Sequence, residues 1–517
     1  MEFLKDISPR DYQQKIFETC KEKNCLVVIP TGLGKTLIAL MLVIERMKNF
    51  PGQKVLFLAP TKPLAEQHLE YFKKHLPELF GDFQLFTGSV KAEKRKEIWK
   101  SADIIFSTPQ CIANDLRNKL YNLKEVCLLI EDEAHRCIKN YDYTYVAHNY
   151  IEEAKNKRIL GLTASPGSDN QKIKEICKNL SIEDVELRTR NSEDVKHNLQ
   201  DLEFEKVYVN LPPEFEEIKY TIKKIHDEYI DQLKSLGLLY EIPTKINLIK
   251  LQGKLGLILS RGNRDFSIFR GLSACATAIK LQHALELIET QTVNGFNNYM
   301  KDLFEQSAKS KTKAVQQLVK RPEFNFAFIK SNNLISKGIE HPKVAELTRI
   351  IEEEKLNPEK MRVIIFSQYR ETASLISKKL NEIEGVNAQI FVGQLKKKET
   401  GLSQKEQKKT IEDFSEGKIN ILCATSIGEE GLDIPEVSLV IFYEPVPSAI
   451  RAIQRAGRTA RLKKGKLIML ITRKTRDETF YYVSRQKEKS MNSAIEEIKK
   501  EMSEKKLEFQ EKLDEII

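Results

Sequence analysis

Five short apolar runs in the first third of the chain alternate with helical patterns: Cys25–Ile29, Val55–Leu58, Asp103–Phe106, Cys127–Ile130 and Ile159–Leu162. Such alternation predicts a parallel sheet covered by helices. Each run ends in a polar or turn segment: Pro30-Thr31-Gly32, Ala59-Pro60-Thr61, Ser107-Thr108-Pro109, Glu131-Asp132-Glu133 and Thr163-Ala164-Ser165. Open α/β sheets bind ligands at the carboxyl ends of their strands. The candidate chemistry of this half therefore falls on one edge.

Two of those ends carry a recognisable pair of functions. Thr31-Gly32-Leu33-Gly34-Lys35-Thr36 stands between an apolar run and a helical run, the strand–loop–helix setting of a phosphate-binding loop. Gly32 and Gly34 let the backbone curl close to an anion, and the backbone N–H groups of a helix N-terminus favour one. Lys35 supplies a charge for the β and γ phosphates, and the Thr36 hydroxyl suits magnesium. Glu131-Asp132-Glu133-Ala134-His135-Arg136 delivers adjacent carboxylates at a later strand end. Asp132 is the expected magnesium ligand, and Glu133 is placed to orient and deprotonate an attacking water. The ordered pair points to nucleotide hydrolysis.

A second α/β pattern begins near His341-Pro342, with apolar runs Val363–Phe366, Ala388–Val392, Ile419–Cys423, Leu439–Phe442 and Leu467–Ile471. Between Pro212 and Gly338 strand-like runs vanish, and Ala278, Leu281, Leu285 and Ile288 recur as one helix face. The stretch Lys301–Lys330 is dense in lysine and carries Phe304, Phe324, Phe326 and Phe328. It reads either as solvated helix faces or as an arm that grips nucleic-acid backbone. The expected organisation is a first α/β core over 1–205, a helical insert over 206–338, a second core over 339–490 and a charged helical tail over 491–517 with no evident chemistry.

The second core adds Gln454-Arg455-Ala456-Gly457-Arg458-Thr459-Ala460-Arg461. Arg458 and Arg461 share a helix face, and guanidiniums brought across a cleft to a transferring phosphoryl group are worth roughly 10³–10⁵ in rate. Gly428-Glu429-Glu430-Gly431-Leu432-Asp433 suits a ribose contact and a relay between sites, with Gly431 and Asp433 as its candidates.

Composition narrows the partners only slightly. A formal net charge of +10 is compatible with a polyanion, though such a balance is common elsewhere. The eight cysteines form no C-x-x-C pair and read as reduced, buried thiols. No apolar run approaches the roughly 20 residues that span a bilayer, and MEFLKDISPRDYQ lacks a signal-peptide layout. A cytoplasmic, nucleoid-associated protein is expected.

The ordered set P-T-G-L-G-K-T, A-P-T-K-P-L, S-T-P-Q, D-E-A-H, T-A-S, A-T-S-I-G-E-E-G-L-D-I-P and Q-R-A-G-R-T-A-R resembles the superfamily 2 DEAH-box helicases. With Tyr443–Arg451 and Arg485–Lys489, it is similar to the helicase region of archaeal Hef, related to Fanconi anaemia group M helicases and more distantly to RIG-I-like ATPases. The resemblance implies two RecA-like parallel-sheet domains around a thumb-like, DNA-binding helical insert, an ATP and Mg2+ requirement, and translocation on forked or branched DNA in fork repair. It implies that Arg10 and Gln13 read adenine. His135, Thr163 and Ser165 would couple the nucleotide to the nucleic-acid groove, Arg458 and Arg461 would be arginine fingers, and Gln454 would face the attacking water. It assigns phosphate contacts of one strand to Thr61, Thr108, Ser367 and Thr425, and makes a nuclease module or a sliding clamp a fair partner. Ala456 and Ala460 depart from the family pattern, where arginine and glycine are expected. Nothing after Lys489 resembles the structure-specific nuclease that Hef proteins usually carry. The alternatives are an RNA-duplex-dependent ATPase of the same superfamily and a non-catalytic DNA-binding scaffold. A metabolic P-loop kinase explains neither the second core nor Gln454–Arg461.

Overall fold

The computed structural model describes residues 3–189, 192–197, 202–262, 265–309, 312–355, 361–393, 401–425, 435, 437–446 and 465–514. Two parallel sheets flank a helical bundle. The first has seven strands in the order β3-β4-β2-β5-β6-β1-β7, where β1 is Cys25–Val28, β2 Lys54–Leu58, β3 Phe83–Phe86, β4 Ile104–Ser107, β5 Val126–Asp132, β6 Ile159–Thr163 and β7 Asp184–Leu187. The second has six, in the order β10-β11-β9-β12-β13-β8, where β8 is Leu202–Val209, β9 Val363–Phe366, β10 Ala388–Phe391, β11 Ile421–Ala424, β12 Leu439–Phe442 and β13 Gly465–Thr472. The five apolar runs of each half are all strands. Buried on both faces except at the edge strand β10, they read as continuous apolar stretches rather than alternating ones.

The strand β8 departs from the predicted organisation. It precedes the bundle in sequence yet pairs along its whole length with β13, Leu202 opposite Gly465 through Val209 opposite Thr472. The chain thus enters the second sheet, leaves to build the bundle, and returns.

The bundle runs from the helix Pro213–Ser235 to the helix Pro322–Ser336. Ala278, Leu281, Leu285 and Ile288 are buried. Phe324 is also buried, Phe304 and Phe328 pack against the same cluster, and Phe326 is exposed beneath Lys330. Three of the four phenylalanines of the lysine-dense stretch therefore hold the bundle together.

Glu286 of the bundle is held from the second core by Tyr369 and from within the bundle by Lys245. Tyr369 donates its hydroxyl to Glu286 Oε1 (2.8 Å) and Lys245 donates to Glu286 Oε2 (3.1 Å). Burial alone raises the Glu286 carboxyl, but His283, Lys245 and Tyr369 outweigh it and hold the group down to about 2. A depressed carboxylate stabilises the fold above its ordinary pKa of 4.5, and that contribution is lost as the pH falls from there through about 2. Glu286→Gln is therefore expected to be less stable than wild type at neutral pH. The gap, on the order of 3 kcal/mol, should close as the pH is lowered. Denaturant melts across that range check this, and a gap that does not change with pH contradicts it.

The predicted tail is not a separate segment. Arg476–Asp514 is one helix of 39 residues that starts on the second core and packs on the first through Met491 to Glu501. Met491, Ala494, Ile495 and Ile498, spaced as one helix face, are buried in the core of the first sheet. Asn170 donates to Glu497 and Lys174 to Glu501, each at 2.8 Å, beside that contact. The helix is a strut between the cores.

Among the described residues no helix is long and apolar enough to cross a membrane, and all eight cysteines are buried and unbridged.

Candidate nucleotide site

The site is set by sheet order. The strand β6 lies between β1 and β5, with Thr163 opposite Val28 and Leu162 opposite Asp132. The loop after β1 and the acidic turn after β5 therefore rise on either side of the Thr163-Ala164-Ser165 turn.

The loop after β1 is built for an anion. Gly32 and Gly34 adopt φ of 87° and 78°, the left-handed region open to glycine. Gly34 is the N-cap of the helix Lys35–Asn49 and offers no side chain to its first N–H groups, which suit an anion. Thr31 and Thr36 are half-buried on the same loop, and Leu33 is buried. Lys35 donates to the Ile29 carbonyl (3.0 Å), which parks its ammonium at the end of β1. Two upstream side chains brace the loop. Tyr12 donates its hydroxyl to the Leu33 carbonyl (2.9 Å), and the Gln13 amide donates to the same oxygen (3.0 Å) while its Oε1 accepts from Arg10 N (2.8 Å). Gln13, expected at adenine, thus also braces the phosphate loop.

The acidic turn is strained and buried. Glu133 holds φ 54° and ψ 46°, a left-handed conformation costing a non-glycine residue about 1–2 kcal/mol. It survives where surrounding structure imposes it, typically at functional sites. Asp132 is buried, and its carbonyl accepts from Tyr143 (2.8 Å). Burial raises its carboxyl, but the His68 hydrogen bond and the nearby Lys35 charge help to overcome this, so the group is held below the usual range. His135 Nδ1 lies 3.2 Å from Thr163 Oγ1 and 3.2 Å from Glu133 Oε2. The Thr163 hydroxyl donates to the Ser165 carbonyl (3.1 Å), and Ser165 Oγ donates to Met491 Sδ (2.8 Å). A continuous polar chain thus links Glu133, through His135 and Thr163, to the strut helix.

These residues fit a magnesium nucleotide on their own chemistry. An open helix N-terminus and Lys35 suit the phosphates. Thr36 and an ionised Asp132 are hard oxygen ligands, and Glu133, whose buried Oε2 lies 3.2 Å from His135 Nδ1, stands beside them.

Residue Glu131 was not singled out as a side chain. It is fully buried, and apart from a weak contact with the Cys137 thiol its carboxylate oxygens have no hydrogen-bond partner. Burial pushes its pKa well above the usual carboxylate value of 4.5. A group raised in this way stabilises the fold below its ordinary pKa, and that stability is lost as the pH climbs toward the raised value. Glu131→Leu, close in volume, removes a polar group whose unpaired burial costs about 1–3 kcal/mol. The variant should be more stable than wild type at pH near 7, with a gap that shrinks on acidification. Thermal melts at several pH values check this; a destabilised variant contradicts it.

The four residues assigned to a nucleic-acid strand occupy matching places. Thr61 and Thr108 follow the adjacent strands β2 and β4, and each caps a helix without using its own hydroxyl. Ser367 and Thr425 follow the adjacent strands β9 and β11 of the second sheet. Thr61 is exposed and Thr108 half-buried, whereas Ser367 and Thr425 are only 1% and 6% exposed. Gly431, Asp433, Gln454, Arg458 and Arg461 lie outside the described residues.

Known families and proteins resemble this chain along most of its length. The DEAD/DEAH box helicase family model matches residues 10–173, and the helicase conserved C-terminal domain matches 342–463. A helical-bundle model provisionally named for ATP-dependent RNA helicases matches 214–341. The chain is 38% identical over 95% of its length to a Methanocaldococcus jannaschii protein provisionally named an ATP-dependent RNA helicase, and covers 61% of it. It is 32% identical over 90% of its length to the ATP-dependent DNA helicase fml1 of Schizosaccharomyces pombe, covering 57% of that protein. It is 33% identical over 94% of its length to the mouse Fanconi anemia group M protein homolog, covering 26% of it. The chain thus spans about three fifths or less of these curated relatives. Against the crystal structure of the Pyrococcus furiosus Hef helicase domain it shows 42% identity and a TM-score of 0.71, over 92% of this chain and 98% of that one. With the motifs in order, the phosphate loop and acidic turn flanking one strand, and a solved relative covered almost end to end, this chain belongs to the DEAD/DEAH box helicase family, in the branch that holds the Hef helicase domain.

Proposed function

We propose that the chain is an ATP-driven motor on DNA, acting at forked or branched structures in replication-fork repair. The observation that carries this reading is the placement of Lys35, Asp132 and Glu133 on either side of β6, in a chain whose second sheet is tied to the first by one helix. In this reading Gly32–Thr36 and Lys35 cradle the phosphates, and Arg10 and Gln13 select adenine. Thr36 and Asp132 hold Mg2+, which neutralises charge on the phosphates when bound. Glu133 takes the proton of the attacking water, while Gln454 orients that water. Arg458 and Arg461 reach across from the second core, and Gly431 and Asp433 contact the ribose. Hydrolysis removes the link between the cores, and the chain Glu133–His135–Thr163–Ser165 passes that change to the groove.

One strand would lie across the strand ends of both sheets at Thr61, Thr108, Ser367 and Thr425, held through phosphates and so largely blind to sequence and sensitive to salt. The helical insert would hold the second strand or a branch. The names of the DNA-helicase relatives support the DNA reading. A nuclease module or a sliding clamp is the proposed partner, in the cytoplasm at the nucleoid.

Duplex RNA is the second reading, favoured by the provisional name of the Methanocaldococcus relative. An ATPase assay on single-stranded, duplex, forked and four-way DNA and on duplex RNA decides. Greatest stimulation by forked or four-way DNA supports the proposal; greatest stimulation by duplex RNA replaces it.

A further inference from the structure

The helix Lys62–His75 buries Ala65, His68, Leu69 and Phe72 against the first sheet. On that face, the imidazole of His68 is held by a ring contact and a hydrogen bond. It lies against Phe57 with ring centroids 4.4 Å apart, and Phe57 is itself wedged against Phe72 and Phe106. Phe57 stands opposite Ile130 in the sheet register, two residues before Asp132. The ring is thereby aimed at the end of β5, where its Nε2 sits 2.9 Å from Asp132 Oδ2. Its other nitrogen, Nδ1, is buried with no hydrogen-bond partner. A proton on Nδ1 would be a buried donor with nothing to bond. The arrangement therefore puts the proton on Nε2, which donates to the carboxylate.

We propose that His68 is a positioning residue for the metal-binding carboxylate of Asp132. The proposal rests on the reading of Asp132 as a magnesium ligand. A carboxylate on the last residue of a strand has free rotation about its side-chain bonds. His68 removes that freedom by holding one oxygen and leaves the carboxylate in one orientation beside Lys35. Tyr143 holds the carbonyl of the same residue, so backbone and side chain are pinned independently. Partners that orient metal ligands in this way typically contribute 10–100-fold to metal affinity. The competing role is structural, with Asp132 merely satisfying a core histidine. The two roles differ in what the histidine does for metal-free nucleotide, which is nothing in the first case.

The test is ADP binding to the whole chain, measured by titration calorimetry once with excess Mg2+ and once with EDTA, with the melting temperature taken without nucleotide. His68→Met fills the same volume and keeps the contact with Phe57 but cannot donate. It should leave metal-free ADP affinity within about twofold of wild type and cut the gain conferred by Mg2+ by about 10-fold or more. His68→Gln, whose amide nitrogen stands where Nε2 does, should restore most of that gain. His68→Asn, whose amide nitrogen stands where Nδ1 does, should not, and this pair decides the matter if the methionine variant fails to fold. An unchanged Mg2+ gain in His68→Met, an equal loss with and without Mg2+, or equal behaviour of the Gln and Asn variants would overturn the proposal. Wild-type protein that bound no ADP at all would instead remove the nucleotide-site reading beneath it.

Discussion

Glu133→Gln is expected to cut ATP turnover by roughly 10²–10⁴ while leaving nucleotide binding close to wild type. The carboxylate is held in a strained left-handed turn, one residue after the acid that is braced by His68. Its buried Oε2 lies 3.2 Å from His135 Nδ1, and a carboxylate so placed can accept a proton from water. The amide keeps the shape and loses the base. Lys35→Ala differs, because it removes charge from the phosphates themselves and should weaken binding as well as turnover. Steady-state ATPase rates with parallel ADP titrations separate the two variants. Turnover in Glu133→Gln within tenfold of wild type would exclude Glu133 as the base.

Lys343→Met is expected to destabilise the protein by about 3–5 kcal/mol. Lys343 and Asp477 are both 0% exposed and form an ion pair at 2.5 Å where the helical bundle, the second sheet and the strut helix meet. Lys343 also donates to the Thr290 carbonyl (3.1 Å) and lies 5.1 Å over the Tyr443 ring. Asp477 accepts from Thr472 N (2.9 Å). Removing the lysine alone leaves a carboxylate in the interior with no cation. Removing both, as in Lys343→Met with Asp477→Leu, replaces the pair by apolar groups and should recover most of the loss. Denaturant unfolding of the two single variants and the double variant gives the cycle. A single variant within 1 kcal/mol of wild type would contradict this account.

Much of the architecture was legible because both cores are parallel sheets. Their strands, apolar on both faces, stand out from helical surroundings, and the motifs mark their carboxyl ends. What was missed has a common physical cause. The strand β7, Asp-Val-Glu-Leu, and the strand β3, Phe-Gln-Leu-Phe, lie at opposite edges of the first sheet and carry polar residues that blur the apolar signal. The strand β8 alternates visibly, but its partner β13 lies beyond the whole bundle, so its sheet was not a local property. The stripe Met491, Ala494, Ile495, Ile498 has helical spacing and was hidden by the lysines and glutamates around it.

The same distinction holds at the site. Lys35, Asp132 and Glu133 could be read because glycine, lysine and paired acids at fixed spacing have few other uses. Residue His68 could not, because its partner is 64 residues away and a histidine on an apolar helix face is ordinarily core. The one available signal for Glu131 was its place in an otherwise apolar strand, where alternation turns it to the side opposite Asp132.

The central claim is that one triphosphate is shared between the loop and acids of the first core and the guanidiniums of the second. A crystal structure of the whole chain with Mg2+, ADP and aluminium fluoride tests it most directly. The account predicts phosphates on Gly32–Thr36, metal between Thr36 and Asp132, and Arg458 and Arg461 turned toward the fluoride. Nucleotide bound elsewhere, or cores closed around it with both arginines pointing away, would contradict it.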